Sequence, residues 1–114
     1  MTDCLFCKMA KGEIKPDLVM ETDELLAFRD INPQAPTHIL VVPRKHISTL
    51  NDLTPADAGI IEKMVLAARE IAKLEGIAAS GYRLVMNCNQ GGGQTVFHIH
   101  LHLLGGRAMT WPPG

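Results

Sequence analysis

The sequence predicts an α+β fold: a largely antiparallel five-stranded sheet with one long helix and a short N-terminal helix. Three stretches carry that expectation. Residues 37–45, THILVVPRK, form an apolar, β-branched run of strand length. Residues 55–75 repeat apolar side chains at helical spacing. Residues 96–104, VFHIHLHLL, alternate strictly with period two from Phe97 to Leu103, which only a strand turns into two distinct faces.

The remaining elements follow in chain order. CLFCKMAK (4–11) predicts a short helix that Gly12 stops. LVMET and LLAFRD are two short strands around Asp23-Glu24, the turn of a hairpin. INPQAP (31–36) is a rigid loop, because its two prolines fix φ and withhold N–H donors. In the long helix Thr54 is the expected N-cap, Pro55 takes the first helical position and Asp57 the third. Ile60, Ile61, Met64, Val65, Ala68, Ile71 and Ala72 make its apolar stripe, and Gly76 ends it. The helix would be about 30 Å long. YRLVMNC (82–88) is the next strand, NQGGGQT (89–95) a loop, 96–104 the last strand, and WPPG a non-helical tail.

Bulk properties narrow the function. A chain of 114 residues, 46% of them hydrophobic, suits one domain over 1–114 with an ordinary core. The net charge of −1 and a pI of about 6.5, with no basic stretch, argue against a nucleic-acid footprint. No apolar run approaches the ~20 residues of a membrane span. The start MTDCLFCKMAKGE does not read as a signal peptide, and three cysteines are an odd number for a disulfide framework. A reducing, cytoplasmic setting is expected.

His98, His100 and His102 concentrate the chemistry. On a strand they share one face at intervals of ~6.6 Å, with Phe97, Ile99, Leu101 and Leu103 on the other, packed against the long helix. Such a row suits a histidine-rich surface, a catalytic metal, or imidazoles that act on a substrate directly. No carboxylate lies near the run to complete a metal site. Upstream, Gly91, Gly92 and Gly93 let the backbone approach an anion, and Gln94, Thr95 and Asn87 add neutral donors. The combination reads as a phosphate-binding wall beside a histidine face.

These residues resemble the histidine triad (HIT) family. His98-Ile99-His100-Leu101-His102-Leu103-Leu104 fits its pattern of three histidines alternating with apolar residues. FRDINPQAPTHILVVPRKHIS (28–48), GYRLVMN (81–87), GGQTVFHIHLHLLGGR (92–107) and WPPG resemble its Hint branch, the histidine triad nucleotide-binding proteins. The resemblance implies a homodimeric purine nucleoside phosphoramidase. Such an enzyme cleaves the P–N bond of AMP or GMP phosphoramidates, lysine-linked AMP among them, without a metal in the chemistry. It implies His100 as the nucleophile that forms a nucleotidyl-histidine, His102 as a donor to phosphate, and His38 as a supporting histidine. Thr95 stands where many relatives have serine. Asn87, Gly93, Gln94 and the Val96 backbone match phosphate contacts. Asp30 matches the carboxylate that holds the ribose hydroxyls. Leu5, Phe6, Met9, Phe28, Ile31 and Leu40 match the apolar base pocket.

Cys4 and Cys7 form a C-x-x-C. The resemblance implies a structural zinc for some members, and Cys4, Cys7, His46 and His98 match that ligand set. Cys88 reads as a buried small residue. Two rival functions stand beside the phosphoramidase: a metal-dependent hydrolase with His98, His100 and His102 as ligands, and a nucleotide-binding regulator with little turnover. The family also implies a dimer interface on the long helix and the strand at 82–88.

Overall fold

Thr22 closes the first hairpin. Its hydroxyl accepts from the N–H groups of Glu24 (3.3 Å) and Leu25 (3.0 Å), and its own N–H bonds the Leu25 carbonyl at 2.9 Å. The strands it joins, β1 (Leu18–Glu21) and β2 (Leu25–Arg29), open a five-stranded sheet in a computed structural model that describes residues 4–114. With β3 (Thr37–Pro43), β4 (Tyr82–Val85) and β5 (Leu101–Gly105) the spatial order is β1-β2-β3-β5-β4, every neighbouring pair antiparallel. The helices are α1 (Leu5–Ala10), α2 (Ala58–Leu74) and a single turn, α3 (Asn89–Gly92).

Every residue of β3 is buried, which explains its unbroken apolar run. One face of the sheet, with Leu25, Ala27, Ile39, Val41, Leu101 and Leu103, packs on Met64, Ala68, Ile71 and Ala72 of α2. The opposite face, with Leu26, Phe28, Leu40 and Val42, packs on Phe6 of α1. The register sets Leu40 beside His102 and Ile39 beside Leu103. The histidine side of β5 therefore looks toward α1 and the core side toward α2.

The long helix is preceded by a 3-10 turn, Pro55–Asp57. Thr54 is its N-cap residue, and the Asp57 carboxylate accepts from the Thr54 N–H (2.9 Å) and hydroxyl (3.2 Å). Gly76, at φ 75°, ends the helix as expected, and the Ile77 N–H reaches back to the Ala72 carbonyl at 3.0 Å.

Six expectations are corrected. The last strand starts at Leu101, not at 96, because the Ile99 N–H bonds the Ile47 carbonyl (2.8 Å) instead of joining the ladder. Outside the ladder the alternation breaks: Phe97 is 47% exposed and does not face α2. Val65 also leaves the predicted stripe, at 42% exposed. The strand at 82–88 ends at Val85, so Cys88 is only half-buried, and the glycine loop contains the helical turn α3, closed by Gly93 at φ 87°.

Candidate active site and metal centre

The three triad histidines do not behave alike, because each ring has one nitrogen committed to a different partner. His98 is fully buried, and its Nε2–H donates to the Pro43 carbonyl at 2.6 Å. Its Nδ1 lone pair then faces Cys4 Sγ (3.3 Å), Cys7 Sγ (3.5 Å) and His46 Nδ1 (3.1 Å). His100 commits the other nitrogen: Nδ1–H donates to the His98 carbonyl at 2.8 Å, which leaves Nε2 as the lone pair.

His102 is set by a relay. The Gln34 N–H donates to His38 Nδ1 at 3.0 Å, so neutral His38 carries its proton on Nε2. That Nε2–H donates to His102 Nδ1 at 2.9 Å. Neutral His102 is thereby left with its proton on Nε2. The pair of rings thus presents one nucleophilic nitrogen, on His100, and one N–H donor, on His102, with ring centroids 5.0 Å apart.

Burial favours the neutral forms these roles require. Burial lowers the His100 pKa, against the opposing effects of the His98 carbonyl and Asp30. His102 is pushed down to about 4, by burial first and then by the rings of His100 and His38. His38 is lowered by burial, with Asp30 working against it.

A cavity of ≈ 820 Å³ opens on this pair. His38, His100, His102, Thr95 and Val96 line it on the sheet side, with Phe28, Asp30 and Leu40 beside them. Phe6 and Met9 of α1 form the facing wall, and Leu5 lines the same wall. Ile31 is fully exposed and projects at the mouth. Phe6 packs edge-on against the rings of both His98 (5.7 Å) and His100 (5.1 Å), joining this wall to the triad. The Asp30 carboxylate keeps one oxygen on the Asn32 N–H (2.8 Å), and the other lies 3.5 Å from His38 Nε2.

Three expected phosphate contacts stand elsewhere. Asn87, Gly93 and Gln94 are outside the cavity lining. Gln94 spends both amide hydrogens on the carbonyls of Ser48 (2.8 Å) and Val96 (3.1 Å), and its oxygen accepts from the Asn89 N–H (2.8 Å). Its side chain braces the glycine loop and has no donor left for a phosphate. The cavity also takes in Ile14, Lys15, Pro16, Asp17, Arg29, Asn32 and Gln34, none of which the sequence reading singled out. The α1–β1 connection carries no motif, and Gln34 acts through its backbone, which no residue type announces.

Behind α1, the ligand atoms of Cys4, Cys7, His46 and His98 lie within 4.8 Å of one another. Zinc bonds of about 2.3 Å to sulfur and 2.0–2.1 Å to nitrogen imply tetrahedral edges of about 3.3–3.8 Å. Four of the six separations, at 3.1–3.5 Å, approximate those edges, all six lie within 4.8 Å, and the His98 tautomer aims a lone pair at their centre. The four residues fit a structural zinc. This geometry removes the reading in which His98, His100 and His102 share one catalytic metal, because His98 presents its lone pair to the thiols and His100 commits Nδ1 to a carbonyl. Asp30, His38 and His102 also converge, but the proton that the Gln34 N–H assigns to His38 Nε2 occupies the place of a metal bond.

Comparison with known proteins agrees with this architecture. Residues 11–109 match the HIT domain family model. The chain is 50% identical over 107 residues to the purine nucleoside phosphoramidase of Escherichia coli K12, covering 94% of this chain and 90% of that protein. It is 47% identical over 112 residues to an uncharacterised HIT-like protein of Synechococcus elongatus, covering 98% and 97%. The crystal structure of a HIT family hydrolase from Legionella pneumophila superposes with a TM-score of 0.97 at 57% identity, covering 98% of this chain and 100% of that one. By sequence and by fold, the chain belongs to the HIT domain family.

Proposed function

We propose that this chain, acting as one HIT domain, is a purine nucleoside phosphoramidase working through a nucleotidyl-His100 intermediate. The observation that carries the reading is the His100–His98 carbonyl bond at 2.8 Å, which leaves Nε2 unprotonated beside the His102 N–H. The phosphoramidase from E. coli, 50% identical, supports the reaction class. The substrates are AMP or GMP phosphoramidates such as lysine-linked AMP.

The chemistry follows from the two rings. The Nε2 lone pair of His100 attacks phosphorus, an N–P bond forms, and the phosphorus–amine bond breaks. His102 donates its Nε2–H to a non-bridging oxygen as charge develops there. Thr95 lines the same cavity, and its hydroxyl relays a proton to the departing amine, regaining one from the water that attacks in the next step. Water then attacks phosphorus, the N–P bond breaks, and the nucleoside monophosphate leaves with His100 restored. The net reaction adds one water across the P–N bond. Asp30 accepts from the ribose hydroxyls, and Phe6, Phe28 and Leu40 hold the base between buried apolar walls. Leu5 and Met9 add to the α1 wall, and Ile31 stands at the mouth. Val96 lines the cavity, which supports a phosphate contact from its backbone, whereas Asn87 and Gly93 lie outside that lining.

No metal or other cofactor enters these steps. Cys4, Cys7, His46 and His98 would hold zinc as a crosslink between α1 and the sheet. We also propose a homodimer through α2 and β4, supported by the exposed Val65, Leu66 and Leu74 and by the position of β4 at the sheet edge. No described helix is long and apolar enough to cross a membrane. A reducing cytoplasm would keep the thiols competent for metal, and the near-neutral charge offers nucleic acid no basic surface.

The test is turnover of a panel of AMP and GMP phosphoramidates by metal-replete and metal-stripped protein. His100→Asn should lower turnover by at least ~1000-fold. Near-normal turnover by that variant would remove His100 as nucleophile. Binding of AMP with no turnover of any amine would favour the regulator.

A further inference from the structure

The loop at 31–36 lies between Asp30 and His38, the two residues that flank His102's side of the cavity. Its prolines at 33 and 36 have no N–H to give. Two of its N–H groups are committed to the site. Asn32 donates to the Asp30 carboxylate at 2.8 Å, and Gln34 donates to His38 Nδ1 at 3.0 Å. The Gln34 side chain ties the loop to itself, donating to the Asn32 carbonyl at 3.0 Å.

The turn leaving β5 grips this loop from outside. Gly106, at φ 87°, sits so close to Pro36 that a Cβ there would lie 2.8 Å from the proline's own. The next residue, Arg107, donates Nε–H to the Gln34 carbonyl at 3.0 Å and Nη1–H to the Ala108 carbonyl at 3.1 Å. Its guanidinium thus spans the loop and the C-terminal segment, using two faces of one planar fork.

We propose that Arg107 is a positioning residue for catalysis: by holding Gln34 it keeps the Gln34 N–H on His38 and so keeps the His102 proton on Nε2, facing the phosphate.

This role rests on the phosphoramidase reading and on where the protons sit on two rings, His38 and His102. A neutral imidazole carries one proton. While Gln34 donates to His38 Nδ1, that proton must be on His38 Nε2, and it donates to His102 Nδ1. If Gln34 withdraws, Asp30 Oδ2 at 3.5 Å still favours a proton on His38 Nε2, but nothing holds Nδ1 as an acceptor and the Nδ1–H tautomer becomes accessible. Its Nε2 then accepts, His102 must donate from Nδ1, and a lone pair replaces the N–H that faces the phosphate oxygens. Donation becomes repulsion, although no catalytic side chain has moved. A substrate already bound by its base and ribose would stay bound, and the chemical step would slow.

The experiment uses Arg107→Ala and Arg107→Lys in the zinc-loaded full chain. Two readouts are taken at neutral pH: the long-range ¹H–¹⁵N spectrum of the His102 ring, which separates protonated from unprotonated nitrogens, and kcat and KM on an AMP phosphoramidate. Wild type should have its proton on Nε2. Arg107→Ala should have a mixture of the two tautomers, with kcat down about tenfold and KM within twofold. Arg107→Lys, keeping one donor, should fall between. A pure Nε2–H tautomer in Arg107→Ala overturns the inference, and so does a mixed tautomer with unchanged kcat. His100→Asn in parallel separates the two levels. If it is inactive while Arg107→Ala matches wild type, this inference fails and the phosphoramidase reading stands. If it is active, the reading itself falls, whatever the spectrum of His102.

Discussion

His98 and His100 stand two residues apart, point to the same side of the sheet, and do opposite things. His98 donates from Nε2 to Pro43 and turns Nδ1 to a cluster of thiols and imidazole. His100 donates from Nδ1 to the His98 carbonyl and keeps Nε2 for the cavity. The spacing of two determines which side a histidine is on. The carbonyl that takes its proton determines whether the remaining lone pair faces the Cys4–Cys7–His46 cluster or the cavity. The two jobs are also linked, since the carbonyl that fixes His100 belongs to His98.

The sharpest way to test this division is to remove one ring at a time. His100→Asn should lower kcat by at least ~1000-fold while leaving the proposed zinc in place and the melting temperature within a few degrees. Metal analysis and a thermal melt beside the kinetic assay check all three. Loss of zinc from that variant would mean the two centres are not separable.

Breaking the other side should reverse the pattern. Cys4→Ser/Cys7→Ser, or chelation, would remove the proposed zinc and with it a crosslink between α1 and the sheet. The melting temperature should fall by about 10 °C or more. Phe6 and Met9 of α1 wall the cavity proposed to take the nucleotide, so AMP affinity should fall about tenfold, which is ~1.4 kcal/mol. Turnover at saturating substrate should drop far less than in His100→Asn. Calorimetric titration with AMP reads the affinity directly. Complete, immediate loss of turnover that returns with added metal would put the ion in the chemistry instead.

Much of this was legible in the sequence, for reasons that differ by element. The unbroken apolar run at 37–43 marks a strand covered on both faces, and α2 and α1 do cover it. The spacing along α2 marked its buried side, except at Val65. The start of the last strand was not legible, because a bond from Ile99 to Ile47 ends the ladder, and only the fold brings residue 47 there. Phe97 fell on the wrong side for the same reason. The identities of Asp30, Phe6 and Phe28 at the cavity came from resemblance, since apolar residues in a core and in a base pocket look the same in sequence. Gln94 shows the converse limit: a residue suited to hold a phosphate spends its donors on the backbone of its own loop. The tautomers could not be read at all. They depend on backbone groups at residues 34, 43 and 98, which every residue type carries alike.

The smallest effect tests the cavity side by pH. His102 is pushed down to about 4, chiefly by burial, with the rings of His100 and His38 adding to the effect and Asp30 opposing it. The unfolded chain protonates this ring near ~6.5. The neutral ring is therefore favoured in the folded state, and the unfolded state binds the proton first as pH falls. The resulting stabilisation is complete above pH ~6.5 and is lost progressively as pH falls from ~6.5 toward 4. In the folded protein the His102 ring resonances should stay fixed between pH 8 and 5, a range over which an exposed histidine moves through its whole transition. The wild-type melting temperature should decline below pH ~6.5 more steeply than that of His102→Phe, which has no proton to bind. A His102 midpoint near 6.5 would mean that the ring is solvated and charges freely. Its proton on Nε2 would then follow from protonation at acid pH, and the relay through His38 would lose its role in setting the donor.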